Sequence, residues 1–279
     1  MPLLLPAHPL LSDEELAELL GLERKSVRSL LYTLHTLGCP EPISTSAGNR
    51  WCLRERELRL LTSANHLSLR NLVVRCDEEA HPSPMVQPGV RWLLAHIQHT
   101  AGIYSFFATL AQAARQRPGQ CLCWWETGAP CERRYRVGEH WHNLRPDILA
   151  EYRAESQQFR FWLEWDRGTM NVRDLAIKSS SYAHFLDSRE WAREGARLPR
   201  LLVVAPEVAQ ERRIQRMAQA KLVPTTRLVI WTTTAGLLRE QGPLAPIWFA
   251  CLPQLYHGAH AGPHRRCFME MNLLKNDHP

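Results

Sequence analysis

Residues 12–37, SDEELAELLGLERKSVRSLLYTLHTL, bring apolar side chains round every three to four positions, the interval of amphipathic helices. Ser12 is a good N-cap, and Glu15 three residues on completes a capping box, so the first helix starts there. Leu16, Leu19 and Leu20 share one face. Gly21 interrupts, and a second helix turns Val27, Leu30, Leu31 and Leu34 inward. Helix, glycine turn and helix at this length make a helix-turn-helix. Arg24, Lys25, Arg28 and Ser29 open its second helix, where a recognition helix meets the major groove.

PISTSAGNRWCLRERE follows. Ile43–Thr45 and Arg50–Leu53 are expected strands about an SAGN turn. Such a hairpin is a wing, with Arg50, Arg54 and Arg56 near DNA phosphates, and it completes a winged helix-turn-helix over residues 1–60. The competing expectation is a helical unit that binds protein. Residues 61–89 lose periodicity and end in HPSPMVQPG, a linker or exposed loop. A long helical pattern runs from Gly89 to the stop at Arg117-Pro118-Gly119. His96 and His99 lie one turn apart on it and are expected to be ordinary helix residues.

Strand patterns then accumulate at 121–126, 145–154 and 159–166, with an AESQQ turn between the last two. A helix (TMNVRDLAIKSSSYAHFLD), a β-branched strand (200–207), a basic helix and a strand (227–234) follow. A mixed α/β core over 90–241 is expected, with no Gly-rich phosphate loop and so no nucleotide-binding fold. Residues 242–279 form a tail without a legible pattern.

Composition narrows the class. Hydrophobic content of 45% and charged content of 22% suit an ordinary globular protein. MPLLLPAHPLL lacks a basic leader and carries prolines, and no apolar run spans a bilayer, so a cytoplasmic protein with no membrane partner is expected. Cys121, Cys123 and Cys131 lack the paired spacing of a zinc site and read as reduced, idle thiols. Acidic and basic residues balance over 1–70, so the net charge of +6 lies beyond them. A basic body favours a polyanionic partner.

The chemistry concentrates in FWLEWDRGTM, 161–170. Glu164 and Asp166 share one face of a strand end, since strand side chains alternate. Arg145-Pro146-Asp147 opens the preceding strand, and hairpin pairing brings Asp147 level with Glu164. Glu126, ending the first strand, is a further acid. Adjacent buried carboxylates demand positive charge. One solution is a magnesium or manganese ion held by Asp147, Glu164 and Asp166, with Lys178 on the next helix steadying a phosphodiester transition state. The other is an ion-pair cluster in which Arg145 and Arg167 neutralise the same acids. Spacing alone weighs the two evenly.

With these residues in hand, the winged helix, HTAGIYSFFATLAQAA, RPD and LEWDRGTMNVRDLAIKSSSY together resemble the replication-relaxation family over roughly residues 12–235. The resemblance implies a protein of a plasmid or integrative element, acting in replication or mobilisation on double-stranded DNA, with other mobile-element proteins as candidate partners. It also implies a PD-(D/E)xK nuclease-like, α-β-β-β-α-β core. Asp147 and Glu164 would be its two acids, and Lys178 a relocated lysine. The sequence departs from that pattern at Asp166, where the family of nucleases has lysine. Cleavage with a divalent metal, a non-catalytic DNA-binding accessory role and a transcriptional regulator are the three functions that follow.

Overall fold

The computed structural model describes residues 4–53, 88–169, 171–194, 199–221, 228–251 and 265–272. Arg54, Arg56, most of the 61–89 linker and most of the 242–279 tail lie outside the described residues. The fold is mixed α/β, in two compact units: Met1–Arg115 with Thr127–Pro130, and Gln116–Glu126 with Cys131–Pro279. Among the described residues no helix is long and apolar enough to cross a membrane.

The first unit begins with α1 (Leu4–Ala7), α2 (Asp13–Leu20) and α3 (Arg24–Thr36). Ser12 caps α2 as its sequence requires: the Glu15 amide donates to Ser12 Oγ at 3.1 Å, and the Ser12 amide to Glu15 Oε2 at 2.9 Å. Gly21 ends the helix at φ 67°, a left-handed conformation that a side chain would strain. Val27 and Leu31 of α3 are buried. Leu30, expected inward, is 42% exposed, because the stripe that meets α2 is narrower than the apolar run. A hairpin follows, β1 (Glu41–Thr45) against β2 (Gly48–Cys52). Then come α4 (Pro88–Ala95) and α5 (Ile97–Arg115).

Helix α5 packs against α2, and Tyr104 on it donates to the Pro9 carbonyl at 2.9 Å. Those contacts put α5 in the first unit, whereas the sequence reading opens the second domain at residue 90. Apolar periodicity identifies a helix that must be covered, but not which neighbour covers it.

The second unit is built on a six-stranded sheet in the order β10-β9-β8-β7-β6-β3. Its strands are β3 (Gln120–Thr127), β6 (Ile148–Ala154), β7 (Gln157–Trp165), β8 (Arg200–Ala205), β9 (Ile230–Thr234) and β10 (Phe249–Cys251). The β6–β7 pair is an antiparallel hairpin, while β7–β8 and β8–β9 are parallel. Parallel neighbours need a crossover. Here α6 (Val172–Ser188) and α7 (Val208–Lys221) supply the two, and Trp162, Leu201, Val203 and Ile230 meet Tyr182, Phe185 and Met217 in one core. Every residue of β8 is buried, as its β-branched run predicts. A second hairpin, β4 (Arg133–Val137) with β5 (His140–Leu144), was not expected from the sequence. Its arginines and histidines mask the alternation of Tyr135 and Leu144.

Candidate functional site

The register that pairs Ile148 with Leu163 sets Asp147 opposite Glu164 one residue further along. Strand alternation turns Glu164 to the same face as Trp162, toward α6. On α6, Lys178 and Tyr182 stand four residues apart and so present to one side. Lys178 Nζ donates to Glu164 Oε2 and lies 3.5 Å from Asp147 Oδ1. Tyr182 Oη donates to Glu164 Oε1. Asp147 Oδ2 accepts from the Trp165 amide at 3.0 Å. The rim thus gathers Asp147, Glu164 and Lys178, as expected, together with Tyr182, to which the sequence reading gave no role. Its signal was the four-residue interval from Lys178.

Two other predicted site residues are placed differently. Asp166 is buried, but Oδ1 accepts from the Gly168 amide at 2.7 Å and Oδ2 from Gln210 Nε2 on α7 at 2.7 Å. Gly168 turns its amide back at φ 79°, a conformation that suits glycine. The expected three-carboxylate metal set therefore loses Asp166, whose two oxygens are taken by the loop and α7. Among the described residues no group of three or more His, Cys, Asp or Glu is arranged to hold a metal ion. Glu126 contributes its carbonyl, which accepts from the buried Cys131 thiol at 2.9 Å. Neither expected arginine neutralises the acids. Arg145 pairs with Glu132 at 3.3 Å, and Arg167 is exposed. The cation is Lys178.

Electrostatics follow from burial. Desolvation, and then the nearby Asp147, push the Glu164 carboxyl from 4.5 up to about 8, against the pull of Lys178 and its hydrogen bonds. Burial works against the Lys178 charge too, but two facing carboxyls outweigh it and hold its proton more tightly than usual. With Glu164 carrying its proton near neutral pH, Asp147 is the carboxylate charge that faces Lys178. Burial and Glu164 raise the Tyr182 phenol well above its ordinary range, so it stays a donor.

A stability consequence follows. Between 4.5 and about 8 the folded state holds a proton on Glu164 that the unfolded chain releases, so stability falls as pH rises through that window. The slope is on the order of 1 kcal/mol per pH unit. Glu164→Gln, which mimics the protonated acid, is expected to flatten it in urea titrations run at several pH values. Equal slopes in parent and variant would rule this out.

In the first unit, Lys25, Arg28 and Ser29 are exposed on α3. Arg24 is exposed as well but pairs with Asp13 at 3.1 Å and Glu14 at 3.3 Å. Arg50 corrects an expectation: it is 5% exposed and donates to Glu15 Oε2 at 2.6 Å and to the Leu10 carbonyl at 3.3 Å. A guanidinium committed to a buried carboxylate is a tie between α2 and the hairpin, not a phosphate contact. Cys121 and Cys123 lie with their sulfurs 3.7 Å apart on β3, and Cys131 is buried.

A family model described as replication-relaxation matches residues 4–201, more than half of the chain, including α2, α3, Asp147, Glu164, Lys178 and Tyr182. No curated protein and no solved structure gives a significant match. The chain belongs to the replication-relaxation family, and that membership suggests a role in the replication or mobilisation of mobile elements, with DNA in general as the partner.

Proposed function

We propose that this is a DNA-binding protein of a plasmid or integrative element whose second unit nicks or cuts DNA at the Asp147–Glu164–Lys178 rim, using magnesium or manganese. The observation that carries the reading is that two acids 17 positions apart in the chain and a lysine from the next helix meet at one sheet edge. In this reading the sheet with α6 and α7 is a PD-(D/E)xK-like core, and α2, α3 and the β1–β2 hairpin form a winged helix that holds duplex DNA through Lys25, Arg28 and Ser29.

The donor set suits the ion. Magnesium is commonly held by one or two carboxylates, with waters and a substrate phosphate completing its shell. Asp147 and Glu164 are such a pair, and burial followed by the neighbouring Asp147 is what disfavours charge on Glu164. A bound divalent ion supplies Lewis-acid activation of water and of a phosphoryl oxygen. Lys178 brings an ammonium to the same edge, where it stabilises charge developing on phosphate oxygens. Tyr182 fixes the rotamer of Glu164 from the buried side, and the Trp165 amide does the same for Asp147.

A second reading, a non-catalytic accessory factor, is favoured by one observation. All four carboxylate oxygens of the Asp147–Glu164 pair already meet protein donors. Incubation with supercoiled plasmid and magnesium or manganese separates the two. The parent should yield open-circular or linear product, and Asp147→Ala/Glu164→Ala should yield none. Equal cleavage by both would remove the site. Duplex binding without cleavage by the parent would leave the accessory role. In the same preparations, Arg28→Ala should weaken duplex binding several-fold at low salt, and affinity should fall steeply with salt through counterion release.

A further inference from the structure

The β4–β5 hairpin lies between β3 and the turn that carries Asp147, and nothing above gives it a task. Its two faces differ sharply. Tyr135 and Leu144 are 2% exposed and face the core, where Tyr135 meets Phe185 of α6 edge-on at 5.9 Å. The other face carries Arg134, Arg136, Trp141 and Asn143, all exposed, with Arg136 directly opposite Trp141 in the register. Trp141 is 56% exposed, and the Arg134 guanidinium lies 5.0 Å from the centre of its ring. Among the described residues neither Arg134 nor Arg136 forms an ion pair, although Glu132 and Glu139 are close in sequence.

An exposed tryptophan does not help a chain fold; burying it would be favourable. An isolated two-stranded hairpin is also marginal, and this one packs on the core through the inner face that carries Tyr135 and Leu144. What the outer face offers is a tryptophan ring with the Arg134 guanidinium over it and Arg136 directly opposite in the register, neither arginine ion-paired among the described residues. That is the chemistry of a stacking platform for an unpaired base, with arginines placed for the adjoining phosphates. In a duplex the bases are stacked on one another and cannot cover the ring.

We propose that the outer face of the β4–β5 hairpin binds single-stranded DNA, with a base on Trp141 and phosphates at Arg134 and Arg136. The inference rests on the DNA-binding part of the function proposed above, but not on cleavage. It deepens that reading by assigning an unpaired stretch of strand to the segment that leads directly into Asp147.

The test uses the full chain and fluorescein-labelled oligonucleotides, one single-stranded and one a blunt duplex of the same sequence. Trp141→Ala should weaken single-strand binding by about five- to a hundredfold, the range for loss of one base stack. Duplex affinity and the melting temperature should be unchanged. Trp141→Phe should restore much of the loss, which a merely structural role would not require. Arg134→Ala/Arg136→Ala should lower the salt slope of single-strand binding by roughly 1.4, from about 0.7 per phosphate. Parental single-strand affinity in Trp141→Ala, or equal losses for both oligonucleotides, overturns the proposal. If duplex binding persists and still depends on Arg28, only the hairpin assignment falls. If the parent binds neither oligonucleotide, the DNA-binding reading falls with it.

Discussion

Lys178→Met is expected to cost the second unit about 3 kcal/mol at pH 8, toward the lower end of the range for breaking a buried pair. The lower end applies because Lys178 and Asp147 keep 29% and 23% side-chain exposure, so water compensates part of the loss. Methionine retains the length of the side chain, so the packing of α6 on the sheet changes little, and the effect isolates the charge. Without the ammonium, Asp147 and Glu164 face each other at the sheet rim, where the Trp165 amide and the Tyr182 hydroxyl still donate to them but bring no full positive charge. Glu164 then holds its proton over a wider range. The variant should lose stability more steeply than the parent as pH rises, and come closer to it on acidification, as Glu164 takes up its proton. Urea unfolding at pH 5 and pH 8 reads this directly. A pH-independent loss would mean that the side chain matters only for packing. The plasmid assay should at the same time lose its product, since the lysine is also the cation of the proposed chemistry.

Arg50→Ala should be comparably severe in the first unit, at about 3–5 kcal/mol. Arg50 and Glu15 retain only 6% and 8% side-chain exposure, so removing the guanidinium strands a carboxylate away from water. The Leu10 and Ala47 carbonyls lose donors as well. A loss of that size rivals the whole stability of a small domain. Burial already pushes the Glu15 carboxyl above its ordinary range, with Arg50 opposing it. The variant should therefore recover partly on acidification, as Glu15 takes a proton. Circular dichroism melts at pH 5 and pH 7 test this. A variant that melts like the parent yet binds duplex weakly would return Arg50 to the role of a phosphate contact.

Local signals were fully legible where one short stretch of chain decides the outcome. The capping box of Ser12 and Glu15, the stop at Gly21 and the covered strand 200–205 all follow from neighbours within a few residues. The pairing of Asp147 with Glu164 was also within reach, because a two-residue turn sets the register of the β6–β7 hairpin. Asp166 was not. Its spacing from Glu164 puts both on one face, and the Gly168 amide together with Gln210, 44 residues later, draws it aside. Arg50 depends on distant partners in the same way. A basic residue on a hairpin looks solvent-facing until the helix bearing Glu15 is packed beside it.

The amino-acid sequence alone determined five of the six strands of the central sheet and the helices between them, the family and the acids and lysine worth watching, because periodicity, capping and motif spacing act over short chain distances. Tertiary structure decided which cation meets the acids, which acid is diverted, and that α5 belongs with the first unit. Those outcomes depend on contacts between elements far apart in the chain, where burial fixes the cost of a charge and only assembled neighbours can offset it.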